Sequence, residues 1–216
     1  MYIEYVGHSC FYMVNDEGIR LLTDPYDNSI GLVPVSKEAD IVLISHHHYD
    51  HDYLGGVTGD YQVIDTPGVH QVKNVSISGF ELPHDDANGA KRGTVVAFLI
   101  ETDGIRILHM GDVGAMPDDA FFQQIGKVDI LMIPIGGTYT VDAEGALAIM
   151  DRMAPNITIP MHYKTTKLTL DIDSPHKFTT IVKKHYDLSR LGGSKFEITA
   201  DSLKKRRRVL LMENSF

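Results

Sequence analysis

The stretch SHHHYDHDY at residues 45–53 follows an apolar run, ADIVLI at 39–44, and sets His46, His48, Asp50 and His51 within six residues. Crowded histidines repel when protonated and lose solvation when buried, so such a stretch does little for stability. Neutral imidazole and carboxylate are, however, the ligands that suit zinc and similar ions. Residues i and i+2 of a strand share a face, so His46 and His48 are expected to grip one ion together, with His47 turned away. Asp50 and His51 lie past the strand end, free to turn toward a second ion.

One cluster cannot close two sites. The remaining ligands are sought at His84, after an apolar strand ending in Pro83, at Asp112 in MGDVG, and at His162 in IPMHY. Each is the first loop position after an apolar strand, and loops held by a rigid sheet are where binding side chains concentrate.

Outward from these points the chain reads as strands first and mixed strands and helices later. Residues 1–24 give short strands broken by a turn at NDEG, and 40–45 a buried strand. Residues 61–65 and 75–82 are further strands, 94–101 and 105–110 a hairpin, and 128–135 a strand covered on both faces. Apolar spacing puts a helix at 141–154, with Thr140 or Asp142 as N-cap and Pro155 as the stop, and another at 175–188 burying Phe178, Ile181 and Val182. Two packed sheets with helices outside satisfy that order.

At 216 residues the simplest organisation is one domain over 1–216. A net charge of −9 speaks against nucleic acid or an anionic membrane as partner. The single cysteine, Cys10, excludes an internal disulfide, and MYIEYVGHSCFYMV lacks the basic and apolar regions of a secretory signal. No apolar run approaches the roughly 20 residues of a membrane span. A cytoplasmic protein is expected, and a homo-oligomer is compatible with this composition. The run KKRRR at 204–208 reads as a charged turn or edge strand before VLLMEN, where basic residues discourage sheet-to-sheet association.

The ordered set His46, His48, Asp50, His51, His84, Asp112 and His162 resembles the metallo-β-lactamase fold superfamily, whose signature reads H-x-H-x-D-H, then a distant His, an Asp and a last His. The phrases GHSCF, LLTDP, HMGDVG, IPIGGTYT and IPMHY look like its branch of L-ascorbate-6-phosphate-lactonase-like and uncharacterised metal-dependent hydrolases. The resemblance spans about residues 5–165. It implies an α/β fold, a four-layer αββα sandwich of two mixed sheets flanked by helices. It also implies two divalent ions: one on His46, His48 and His84, the other on Asp50, His51 and His162, with Asp112 bridging. Zn2+ is the first expectation, Mn2+ or Fe2+ the alternatives, since a His/Asp shell without thiolate does not choose among them. A hydroxide shared by two such ions would attack a carbonyl or phosphoryl centre, with turnover depending on Asp50, His51 and Asp112. Two dications, two carboxylates and a hydroxide sum to about +1, so an anionic substrate is expected despite the acidic chain.

The resemblance also makes Asp24, in LLTDP, the acid that orients a ligand imidazole. His8 is either a group facing the metals, as proton donor or substrate contact, or a satisfied core histidine. His109 is expected to make a structural hydrogen bond. Tyr139 could place a hydroxyl over the metals, although a tyrosine at a strand end more often packs. Lys164 could meet an anionic substrate, although such lysines are usually solvated. His70, His176 and His185 read as surface or structural.

Spacing then narrows the superfamily. With 27 residues between His84 and Asp112, 49 between Asp112 and His162, and 54 after His162, no inserted domain fits. That disfavours the long-insert messenger-RNA nucleases, the flavoprotein relatives and the glyoxalase-type thioesterases. No thiol can take the second-site position occupied in β-lactamases proper. The expected activity is hydrolysis of an ester or lactone in a small substrate, phosphorylated or otherwise anionic. A phosphodiesterase or nuclease of the same fold is the alternative, and a non-catalytic metal-binding protein the third reading.

Overall fold

The computed structural model describes residues 1–203 and 207–215, so Lys204, Lys205 and Arg206 of the basic run lie outside the described residues. In chain order the first strands are β1 (Tyr2–Gly7), β2 (Cys10–Val14), β3 (Arg20–Thr23), β4 (Lys37–Glu38), β5 (Ile41–Leu43), β6 (Val57–Thr58) and β7 (Gln62–Ile64). There follow β8 (Gly68–Val72), β9 (Val75–Pro83), β10 (Thr94–Thr102), β11 (Ile105–His109), α1 (Asp119–Ile125) and β12 (Ile130–Pro134). The last elements are α2 (Ala143–Met153), β13 (Ile157–Met161), α3 (His176–Val182), β14 (Asp187–Arg190), β15 (Lys195–Glu197) and β16 (Arg208–Leu211).

Two mixed sheets form the body. A six-stranded sheet runs β15-β1-β2-β3-β5-β7 and an eight-stranded sheet β14-β16-β13-β12-β11-β10-β9-β8, with β4 and β6 paired apart. Alternation along the first sheet decides what each face buries. Ile3, Tyr5, Phe11, Met13, Leu21, Ile41 and Leu43 join the main core, while Val6, Cys10, Leu22, Val42 and Ile44 face a second cluster. That second cluster is closed by Tyr26, Ile30, Leu32, Val35, Leu168 and Ile172. The outer layer over the first sheet is therefore irregular chain, with a 3₁₀ turn at Asn28–Ile30, and among the described residues the α-helices all belong to the second half. α2 packs on β12 and α3.

Strand direction places the functional loops. β1 and β3 both run antiparallel to β2, and β5 runs parallel to β3. β9 and β11 both run antiparallel to β10, and β12 and β13 continue parallel to β11. The C-terminal ends of β1, β3 and β5 thus share one edge of the first sheet, and those of β9, β11, β12 and β13 one edge of the second. Backbone bonds join these edges, from His162 N–H to the His8 carbonyl (2.9 Å) and from Val96 N–H to the Ser45 carbonyl (2.8 Å).

Several boundaries differ from the sequence reading. The buried strand expected at 40–45 is only Ile41–Leu43, so the histidine stretch is a turn and not a strand face. The helix expected at 175–188 stops at Val182, because residues 187–190 are needed as β14 at the sheet edge beside β16. That makes β16 an interior strand, between β13 and β14; the reading of the basic run before it as a charged turn or edge strand falls mostly on residues 204–206, outside the described residues. α1, β8, β14 and β15 were not anticipated. α2 falls within the expected 141–154, as Ala143–Met153, with Asp142, one of the two expected caps, as the N-cap accepting from Gly145 N–H at 3.0 Å and Ala154 left-handed ahead of Pro155.

Candidate metal centre

Six loops at the shared edges bring the site together: His8 after β1, Asp24 after β3, residues 45–51 after β5, His84 after β9, Asp112 after β11 and His162 after β13. Three of these, His8 (φ 55°), Asp24 (φ 40°) and His162 (φ 50°), have left-handed backbone. Non-glycine residues seldom occupy that region, and such strain concentrates at functional sites. Gly111 (φ 53°) also needs its missing side chain, since a Cβ there would lie 2.8 Å from the Ser45 Cβ.

The nitrogens and oxygens converge in three overlapping groups able to hold metal: His46 with His48 and His84, His46 with His51 and Asp112, and His8 with Asp50, His51 and His162. Asp112 lies at the centre. Its Oδ2 is 3.0 Å from His162 Nε2, 3.4 Å from His51 Nε2 and 4.0 Å from His84 Nε2. His46 and His48 do meet, but through a turn closed by His48 N–H to His46 O at 3.1 Å and His51 N–H to His48 O at 2.8 Å. His47 is turned outward between Asp52 and Asp65.

The hydrogen-bond network fixes which ring nitrogens are free. The buried Asp24 carboxylate accepts from Ser45 N–H (2.7 Å), Ser45 Oγ–H (2.7 Å) and His51 Nδ1–H (3.1 Å). Ser45 spends its proton on Asp24, so its Oγ accepts from His46 Nδ1–H at 2.9 Å. In their neutral, ligand-competent form both rings therefore turn an unprotonated Nε2 inward, and His46 Nε2, His51 Nε2 and Asp112 Oδ1 are buried without a hydrogen-bond partner. Buried polar atoms are rarely left so, and a group of orphaned imidazole and carboxylate donors fits a divalent cation. Neither Ser45 nor Arg92, which also lines the cavity, was picked out from the sequence. The only cue to Ser45 was its place directly before His46.

Electrostatics follows burial and neighbours. Burial, reinforced by His51, lowers the His46 pKa to about 3, and burial with His162 lowers that of His8 to about 4, so both rings are uncharged at neutral pH. Burial also opposes charge on His51, but the carboxylates of Asp112, Asp24 and Asp50 outweigh it and hold its pKa well above the usual value. Asp112 is held well below the carboxylate range against its own burial, by His162 and His51.

His8 is fully buried, with its Nε2 3.1 Å from Asp50 Oδ2 and its ring 4.2 Å from that of His162. Tyr139 lines the cavity over the centre, under the Arg92 guanidinium. Lys164 does not reach it: its Nζ donates to the Leu170 carbonyl at 2.6 Å and it borders a different cavity. His109 is structural, donating from Nε2 to Ser9 O at 2.8 Å and accepting from Gly111 N–H at 3.3 Å. His70, His176 and His185 lie outside the cluster, and among the described residues no helix is long and apolar enough to cross a membrane.

Two packed mixed sheets with a His/Asp cluster at one edge define a metallohydrolase class, and comparison with known proteins agrees. Residues 2–162 match the family described as "Beta-lactamase superfamily domain". A "UPF0173 metal-dependent hydrolase" of Carboxydothermus hydrogenoformans is 30% identical over 76% of this chain and 85% of its own. A UPF0173 protein of Pyrococcus furiosus is 32% identical over 76% of this chain and 84% of its own. Among solved structures, a candidate Zn-dependent hydrolase of the metallo-beta-lactamase superfamily from Thermotoga maritima superposes with a TM-score of 0.81, at 33% identity and 98% coverage of both chains. The chain belongs to this family of metal-dependent hydrolases within the metallo-β-lactamase superfamily.

Proposed function

We propose that the cluster holds two divalent ions, Zn2+ in the first instance, and that the protein hydrolyses an ester or lactone of a small anionic substrate. The observation that carries this reading is the set of buried, unpartnered donors on either side of Asp112. His46, His48 and His84 would hold one ion and Asp50, His51 and His162 the other, with Asp112 facing both. Bound ions acidify water toward neutral pH and polarise a carbonyl or phosphoryl oxygen.

The chain's own residues supply the rest. Asp24 and Ser45 keep His46 and His51 in the tautomer that offers Nε2. His8 steadies the Asp50 carboxylate through its 3.1 Å contact. Tyr49, Tyr139 and Leu170 form walls around a cavity of about 280 Å³, a size that suits a small molecule.

The test is a panel of a p-nitrophenyl carboxylic ester, a γ-lactone and bis(p-nitrophenyl) phosphate, with chelation and metal restoration. Metal-dependent turnover of ester or lactone is the expected result. Turnover of the phosphodiester alone moves the assignment to a phosphodiesterase, and no turnover at full metal occupancy makes this a non-catalytic metal protein.

A further inference from the structure

A loop hinged on His84 carries a cation to the mouth of the metal cavity. The chain leaves the sheet at His84 and returns at Gly93, whose carbonyl accepts from His84 N–H at 3.0 Å. Inside that loop the buried Asp85 carboxylate accepts four backbone N–H groups, from Ala87 (2.8 Å), Gly89 (3.0 Å), Lys91 (2.8 Å) and Arg92 (2.7 Å). The Asp112 loop presses on it from behind: a Cβ on Gly114 would stand 2.2 Å from Asp85 N, and Gly114 N–H donates to Pro83 O at 2.9 Å. The backbone of Arg92 is thus fixed by the loops that present His84 and Asp112.

The Arg92 side chain is half-buried, with its guanidinium 5.3 Å from the Tyr139 ring centroid. Stacking on an aromatic face orients a guanidinium while leaving its N–H edge free. No ion pair with a carboxylate holds it among the described residues. Among the described residues it is also the only lysine or arginine lining the cavity. A half-buried cation without a carboxylate partner among the described residues, on a pinned loop beside the His/Asp cluster, has N–H groups free to meet an anion.

We propose that Arg92, backed by Tyr139, is the specificity-determining residue for an oxyanionic group, carboxylate or phosphate, that the substrate carries apart from its scissile bond. This rests on the hydrolase reading above for the position of the scissile bond. The apolar walls at Tyr49 and Leu170 then contact the stretch between that bond and the charge. The substrate class is a small ester or lactone with one remote negative charge.

Two readouts on zinc-loaded wild type, Arg92→Ala and Arg92→Lys separate the claims, with bound zinc per chain measured in each sample. The first is the ratio of kcat/KM for mono-p-nitrophenyl glutarate over p-nitrophenyl valerate, a pair that differs by a carboxylate in place of a methyl. The ratio is expected to fall roughly 10–100-fold in Arg92→Ala, mainly through KM, the scale of a lost charge-assisted contact, and to be partly kept by Arg92→Lys. The second is calorimetric titration with glutarate and, separately, glycerol 3-phosphate. Weakening of the first alone identifies a carboxylate reader and of the second alone a phosphate reader. Equal losses on both esters, or affinities for both ligands unchanged by Arg92→Ala, overturn the proposal. Absence of turnover at full zinc occupancy removes the hydrolase reading instead and leaves the titration to decide Arg92.

Discussion

At the scale of single residues, the donor cluster is aimed by side chains that lie outside it. Asp24 spends its carboxylate on Ser45 and His51, and through Ser45 it also sets the tautomer of His46. Asp24→Asn replaces an acceptor with a group that can present N–H to His51 and frees that ring to flip. Metal affinity, measured by competition with a chromophoric chelator, should fall roughly 10–100-fold while the far-ultraviolet spectrum is kept. An unchanged affinity would mean that the network does not orient the rings. The residues that converge, and their order, were legible in the sequence because a metal-binding cluster calls for those residue types. Ser45 and Arg92 were not, since a serine before a histidine or an arginine in a polar loop has no spacing that marks it. The left-handed backbone of His8, Asp24 and His162 was equally hidden, because it comes from how strand ends meet and not from local propensity.

At the scale of elements, the C-terminal ends of co-directed strands carry the site, and short turns do the final aiming. Gly111 shows the tolerance of that aiming: Gly111→Ala adds a Cβ against Ser45 in a left-handed turn. It should cost about 1–3 kcal/mol in denaturant unfolding and weaken metal binding as well. The N-cap gives a milder case away from the site, where Asp142→Ala should cost about 1 kcal/mol with metal binding unaffected. The long apolar strands and α2 were legible because period and caps agreed. The third helix was read too long, because Lys183, Lys184 and Tyr186 continue a helical pattern that the sheet edge interrupts. The histidine stretch was read as strand for a related reason: alternation predicts the same facing that a tight turn achieves by another route.

At the scale of the whole molecule, the two sheets are joined through polar contacts as well as through the core. Asp40 accepts from Arg20 of the first sheet (Nε, 2.9 Å) and from Lys73 in the turn between β8 and β9 of the second (2.9 Å). The Arg20 guanidinium, with Lys73, holds the Asp40 carboxyl well below its ordinary value of 3.8. A carboxylate depressed in the folded state contributes stability that is complete above the unfolded value and is lost as pH falls through the folded one. Asp40→Asn should therefore cost about 1–2 kcal/mol near pH 7, and the difference from wild type should shrink steadily below about pH 4. A difference constant with pH would assign the cost to packing. The central claim, that the edges of both sheets close on a pair of metal ions, is tested most directly by elemental analysis of protein saturated with Zn2+ and dialysed. Close to two ions per chain, falling in Asp112→Ala and unchanged in Asp142→Ala, is the predicted result. A wild-type chain that retains no zinc, nor any other divalent ion after the same treatment, would contradict it.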